Sequence, residues 1–213
     1  MSPGVSQPRA ARVRHVEVLD AARALFFRNG YRGTTIQLIA DRAGYSKRSV
    51  YLDYQNKDDL FATVCLEGGA LLLRKLREIP ATETSVEECI DAFLDVYISF
   101  SREHAEYYRM IFSEATPEII ANCSAPVRRT AAELERLCLG VIVDWVDRAV
   151  REGCIRPVDP WETAGILVGT ATGIILLSMG GSQTIFSRER LESLVKSAIR
   201  TYWRGLGSER SVP

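Results

Sequence analysis

Six residues of this chain, Ser46-Lys47-Arg48-Ser49-Val50-Tyr51, place five hydrogen-bonding side chains around one valine. The chemistry they offer is recognition. An arginine fork can donate two parallel bonds to the O6 and N7 edge of a guanine. Lysine, serine and tyrosine side chains donate to phosphate oxygens, which fixes register without reading sequence. Lys47, Arg48 and Tyr51 are candidates to touch bases or phosphates, with Ser46 and Ser49 beside them. For Arg48, guanine readout and a phosphate clamp both remain open. Thr34, Thr35, Tyr45 and Lys57 flank this set and are expected to position it on a nucleic-acid backbone. Lys57 stands at a helix start, where backbone N–H groups also favour phosphate.

Such side chains act only if their elements hold them in place. Thr34 followed by Gln37 has the spacing of a capping box, so a helix is expected to start there. Ile36, Ile39 and Ala40 fall on one face of it. Gly44 follows Ala43, where a helix end needs a residue tolerant of positive φ. Ser46 can cap the next helix. That helix is expected to turn Lys47, Arg48, Ser49 and Tyr51 outward and Val50 and Tyr54 inward. Asn56 can cap a third helix, with Asp58 and Asp59 favoured by its dipole. This is the layout of a helix-turn-helix, whose second helix enters the major groove of DNA. Any αα-hairpin needs a cap, a glycine and an apolar face. The ordered set of Ala40, Gly44, Ser46, Val50 and Tyr51 in one short window is what favours the DNA-binding reading.

The pairs Ile39-Ala40, Ala43-Gly44, Ser46-Lys47 and Val50-Tyr51, with Lys57-Asp58-Asp59-Leu60-Phe61, resemble the N-terminal domain of TetR/AcrR-type transcriptional regulators. Ala21-Ala22, Leu25-Phe26, Gly30-Tyr31 and Thr34-Thr35 resemble that family's first helix and its exit. The likeness covers residues 12 to 61. A looser one runs from Val150-Arg151-Glu152-Gly153 through Arg156, Asp159-Pro160 and Ala164, similar to the AcrR-like ligand-binding domain. The resemblance implies a homodimer joined by a four-helix bundle of the last two helices, and a palindromic operator. In one place the chain departs from the family pattern: Asp53 and Tyr54 stand where a histidine and a phenylalanine are usual. If the family histidine contacts phosphate, Asp53 would repel it. Alternatively Asp53 pairs with Lys57 or Arg48 and never faces DNA.

Charge supports a division of labour. The chain carries 27 basic and 27 acidic residues. The first 57 hold ten basic against four acidic residues, a net of +6, and the remainder is −6. A basic head on an acidic body suits a DNA-binding end and a separate regulatory end. The expected fold is all-α, with about nine helices and the following parts: residues 1–11 as a disordered basic tail, 12–56 as the helix-turn-helix domain, 57–206 as a larger ligand-binding and dimerisation domain, and 207–213 as a second disordered tail. No secretory signal is visible at the start. Arg9, Arg12 and Arg14 could reach phosphates or the minor groove.

The rest of the chain has helical patterning throughout. Ser85 with Glu88 forms a capping box, Thr116-Pro117 and Asp159-Pro160 open helices, and Ser187-Arg188-Glu189-Arg190 opens the last. The helix from Pro117 is expected to reach Glu152 with a kink or interruption near Pro126. Residues 105–114 read as one short helix. Thr163 to Ser187 is free of charge and contains Gly165, Gly169 and Gly173. In a bilayer that pattern would pair helices. Its apolar run ends near Met179, so a buried helix is the preferred reading. With Leu191, Leu194, Val195, Ala198, Ile199, Tyr202 and Trp203 it forms the expected dimer interface.

Phe93, Tyr97, Phe100, Tyr108, Met110, Phe112 and Trp145 offer an apolar, aromatic lining for a small effector, although each also suits an ordinary core. Metalloprotease, phosphate-loop, esterase and dinucleotide motifs are absent from the sequence, so enzyme, cofactor and metal readings are not favoured. The five cysteines, at 65, 89, 123, 138 and 154, show no metal spacing and suit a reducing cytoplasm. The leading reading is a cytoplasmic, ligand-responsive transcriptional repressor, released from DNA by a hydrophobic or amphipathic inducer. The alternatives are a helical small-molecule-binding or membrane-associated protein without DNA readout, and a cysteine-based redox-sensing regulator.

Overall fold

The computed structural model describes residues 9–80, 84–180 and 189–207. Among these, ten α-helices and one π-helical segment account for the regular structure. They are α1 (Arg9–Asn29), α2 (Ile36–Ala43), α3 (Lys47–Val50), α4 (Lys57–Arg77), α5 (Val86–Glu103), α6 (Ala105–Arg109), the π segment (Met110–Glu114), α7 (Pro117–Asn122), α8 (Ala125–Arg151), α9 (Pro160–Met179) and α10 (Leu191–Gly205). The fold is all-α, with an N-terminal helix-turn-helix and a larger helical part. The helix count exceeds the expected nine because two expected helices are divided. Met110 to Glu114 widens from α into π, and the helix from Pro117 breaks at Cys123–Ser124. Pro126 then lies in the first turn of α8, where its missing N–H costs nothing.

The chain divides into two compact units: Met1–Gly68 with Glu114–Ala131, and Gly69–Ser113 with Ala132–Pro213. Helices α4 and α8 each contribute to both. This division differs from the sequence-based one at residue 56/57, because hydrogen bonds hold residues 114–131 within the first unit. Asp59 Oδ1 accepts from Ser124 N at 2.6 Å, Asn56 Nδ2 donates to Asn122 O at 2.9 Å, and Glu114 Oε2 accepts from Tyr31 N at 2.9 Å. Asp58 accepts from the Tyr31 hydroxyl. Asp58 and Asp59 are thus more than helix-dipole residues: they are 9% and 3% exposed and anchor neighbouring chain.

The first unit packs Val18, Ala22 and Phe26 of α1 with Ile39 and Ala40 of α2, Val50, and Leu60, Phe61 and Val64 of α4. Phe61 meets the rings of Phe26 and Tyr31 edge-on at 5.2 and 5.1 Å. Gly44 adopts φ 75°, and Tyr45 N and Gly44 N close the end of α2 on Ala40 O and Asp41 O. Asn56 caps α4 through Asp59 N at 2.8 Å. The cap of α2 is Thr35, which accepts from Leu38 N at 3.2 Å, and not Thr34. Thr34 is fully buried, and its hydroxyl donates to Gly30 O at 2.9 Å in the turn leaving α1. Gln37 reaches Asp41 instead of closing a capping box. Helix α1 begins at Arg9, three residues earlier than expected. Residues 1–8 and 208–213 of the expected tails lie outside the described residues, as do Ser187 and Arg188, and α10 begins at Leu191.

The second unit buries one face of α5 against α8, α9 and α10. Arg200 forks onto Asp91, and Trp203 Nε1 donates to Glu87. Helix α9 buries Thr163, Ala164, Leu167, Ala171 and Ile175. Its other face leaves Gly165, Ile166, Gly169, Gly173 and Leu177 exposed. By length and composition alone α9 could cross a membrane, the one helix among the described residues of which that holds.

Asp59→Ala removes the acceptor for two backbone donors, Ser124 N and Gln55 N. Gln55 is exposed and Ser124 half-buried, so water can reach both freed N–H groups, and a cost of about 0.5–1.5 kcal/mol is expected for each bond lost. Urea unfolding of the variant measures it, and an unchanged midpoint contradicts the anchoring role.

Candidate functional site

Helix α3 is a single turn, so its position depends on its cap and its buried side. Ser46 Oγ accepts from Ser49 N at 3.1 Å, and the two serine hydroxyls meet at 2.9 Å. Val50 is fully buried and Tyr54 nearly so. The opposite side is open: Lys47 and Arg48 are exposed, and Tyr51 and Leu52 are 52% and 69% exposed. Ser49 is half-buried between the two sides. Thr35 is exposed at the start of α2; its oxygen serves the cap while its proton stays available to an acceptor.

Three expected backbone contacts are placed differently. Thr34 is buried, as described. The Lys57 ammonium donates to Tyr31 O at 3.1 Å and Thr34 O at 3.2 Å, and lies 3.8 Å from the centre of the Tyr31 ring. Burial pulls its pKa down. It tethers the exit of α1 to the start of α4. Tyr45 donates its hydroxyl to Glu17 at 2.5 Å, a bond that pushes its pKa up. The outward set is therefore Thr35, Ser46, Lys47, Arg48, Ser49 and Tyr51.

Two contacts that local spacing did not reveal fix this set. Arg14 of α1 forks onto Asp53 at 2.8 and 2.9 Å, with the carboxylate side chain 6% exposed. The hydrogen bond to Asp53 raises the Arg14 pKa. Asp53 therefore pairs with Arg14, not with Lys57 or Arg48, and Arg14 is not a free phosphate contact. Beside this pair His15 stacks on Tyr54, with ring centroids 4.9 Å apart and planes at 12°, and Nε2 lies 3.2 Å from the Tyr54 hydroxyl. Both partners in α1 lie 39 residues from their targets. The sequence signal was a basic and an aromatic-capable residue in α1 facing two departures from the family pattern.

In the second unit the expected effector residues form an aromatic cluster. Tyr108 lies 4.7 Å from Phe112, 5.7 Å from Tyr97 and 6.5 Å from Phe100, and Tyr97 lies 5.3 Å from Phe93. Met110 is fully buried on the π segment. Trp145 is not part of this cluster. It is buried beside a surface groove of about 560 Å³ with Leu76, Ile79, Val141 and Trp161. Sequence reasoning missed Thr172, whose hydroxyl pairs with that of Tyr97 at 2.7 Å. Burial pushes the Tyr97 phenol up to about 12.

Four of the five thiols are held toward their protonated form. Burial pushes the thiols of Cys123 and Cys138 up to about 11, and those of Cys65 and Cys154 also rise. A thiolate, the reactive form, is disfavoured at each of them.

Comparison with known proteins agrees with this geometry. The family described as bacterial regulatory proteins, tetR family, matches residues 18–64, the span from mid-α1 into α4. The transcriptional activator FasR of Mycolicibacterium smegmatis is 24% identical over 91% of this chain and 83% of its own. The transcriptional repressor AcnR of Corynebacterium diphtheriae is 22% identical over 89% and 93%. The structure of FadR from Bacillus subtilis in complex with stearoyl-CoA superposes with a TM-score of 0.69 at 17% identity, covering 90% of this chain and 98% of that one. Residues 18–64 thus carry the helix-turn-helix domain of the tetR family of bacterial regulatory proteins, and the rest of the chain shares the all-α fold of that structure.

Proposed function

We propose that this regulator is a repressor that binds a palindromic operator as a homodimer and leaves it when a small hydrophobic or amphipathic inducer binds. The observation that carries the DNA reading is the polarity of α3. Val50 and Tyr54 root it, while Lys47, Arg48 and Tyr51 stand exposed on the far side. In this reading Arg48 reads a base edge, and Lys47, Tyr51, Ser46, Ser49 and Thr35 hold phosphates. The DNA reading lies within residues 12–56, and the effector and the second subunit are met within residues 57–206, by the parts of that span that form the second unit. A protein whose partner is the operator works in the cytoplasm.

The dimer reading rests on α9 and α10. Leu191, Val195, Ile199 and Trp203 of α10 are buried within the protomer, so they are not free to meet a partner. Leu194, Ala198 and Tyr202 remain half-buried. On α9 the space around Gly165, Gly169 and Gly173 is open, and Ile166 and Leu177 are exposed. A second copy packed there would bury this apolar face, and an operator with half-sites one turn apart asks for two recognition helices about 34–36 Å apart.

The effector reading rests on the aromatic cluster of the second unit, and the amphipathic ligand of FadR supports the chemical class. The ligand acts by preferring the conformer whose helix spacing does not fit the operator. Because α4 and α8 run through both units, they are the natural levers.

A gel shift with DNA flanking the protein's own gene tests this function. Specific binding should fall steeply with salt. Arg48→Ala should cost about 1–3 kcal/mol, and Lys47→Ala should reduce the salt slope by about 1. Arg48→Ala combined with Tyr51→Ala should abolish the specific shift. Equal binding to random DNA contradicts the proposal. Asp53→Asn discriminates the two readings of that residue: with its carboxylate clasped by Arg14, affinity is not expected to rise. A clear rise would mean that Asp53 repels phosphate.

A further inference from the structure

We infer that Leu52 reads sequence, by packing on the C5 methyl group of one thymine in each half-site. This inference rests on the reading above that α3 enters the major groove of DNA, and adds a base preference to it. Among the described residues Leu52 is the most exposed large apolar side chain, at 69%. A single exposed leucine elsewhere on a protein needs no account. This one stands beside Tyr51 in the outward set, so whatever meets that set meets Leu52 as well.

Its place follows from the turn that leaves α3. Backbone bonds continue past Val50: Tyr51 N donates to Lys47 O at 3.1 Å, Leu52 N to Ser49 O at 3.3 Å and Asp53 N to Val50 O at 3.1 Å. The chain therefore stays coiled through Asp53, and Leu52 lies one turn beyond Arg48 and Ser49. Side chains so spaced are about 5–6 Å apart. Val50 and Tyr54, each two residues from Leu52, are buried, which turns Leu52 to the opposite side of the coil. Asp53 is held by Arg14 and does not cover it. Leu52 thus shares the exposed side with Lys47, Arg48 and Tyr51.

The chemistry of the groove selects the contact. Base edges there present donors and acceptors, and thymine adds a methyl group. A leucine laid over a donor or acceptor strips it of water and returns no bond. Laid over the methyl, it buries apolar surface on both partners. In unmodified DNA that methyl belongs to thymine alone. With base pairs about 3.4 Å apart, the thymine falls within about two base pairs of the position that Arg48 reads.

Deoxyuridine lacks only the methyl of thymine, so the first test leaves the protein intact. The full-length protein is titrated onto an operator selected from random unmodified duplexes, with its thymines replaced by deoxyuridine one symmetric pair at a time. At one pair, within about two base pairs of the position where Arg48→Ala relaxes specificity, wild-type binding should weaken about fourfold per half-site. Leu52→Ala should bind the thymine and deoxyuridine duplexes alike. Lys47→Ala should bind both more weakly and keep the difference between them. An operator with no thymine at that place, wild-type binding indifferent to every methyl, or a difference that survives in Leu52→Ala overturns the inference. If no duplex is bound specifically, the DNA reading falls and takes this inference with it. If specific binding stands without a methyl effect, this inference alone falls.

Discussion

A one-turn helix has no stability of its own, since the cost of nucleation exceeds what a single turn of bonds returns. Everything presented by α3 therefore depends on how its buried side is held. Val50 and Tyr54 are set in the core with Ile39 and Ala40 of α2, and the Ser46 cap closes its start. From α1, Arg14 clasps Asp53 and His15 stacks on Tyr54, one residue apart at each end. These two contacts fix the chain as it leaves the recognition turn. The exposed Lys47, Arg48 and Tyr51 inherit their geometry from side chains that never meet DNA.

The same economy governs the rest of the first unit. Its carboxylates bond chain segments, Asp58 and Asp59 from buried positions and Glu114 from a half-buried one: Asp58 holds Tyr31, Asp59 holds Ser124 and Gln55, and Glu114 holds Tyr31 N. Lys57 turns inward to Tyr31 O and Thr34 O. The exit of α1, the start of α4 and residues 114–131 thereby become one bonded body. Glu114 is also the last residue of the π segment whose Phe112 packs on Tyr108.

What could be read from sequence was local. Gly44, Ser46, Asn56, the Ser85–Glu88 box, Thr116-Pro117 and Asp159-Pro160 act within four residues, and each does in space what its spacing suggests. The inward placement of Val50 and Tyr54 followed from the same period. Misreadings arose where a second partner competes, four residues away for Thr34 and farther off for Lys57 and Arg14. Thr34 lost the cap to Thr35 because its hydroxyl turns back to Gly30 O. Lys57 was drawn from phosphate by two carbonyls and a ring, and Arg14 by a carboxylate 39 residues away. Trp145 had the right period for the aromatic cluster but lines another groove. The π segment has no sequence signature distinct from an ordinary helix.

The central claim is that this fold presents two copies of α3 to adjacent turns of duplex DNA and reads sequence there. Selection of bound duplexes from a random library by the full-length protein, followed by sequencing, addresses it most directly. The expected result is an inverted repeat whose half-site centres lie about one helical turn, or a multiple of it, apart. Recovery of unrelated sequences with no shared repeat would contradict it.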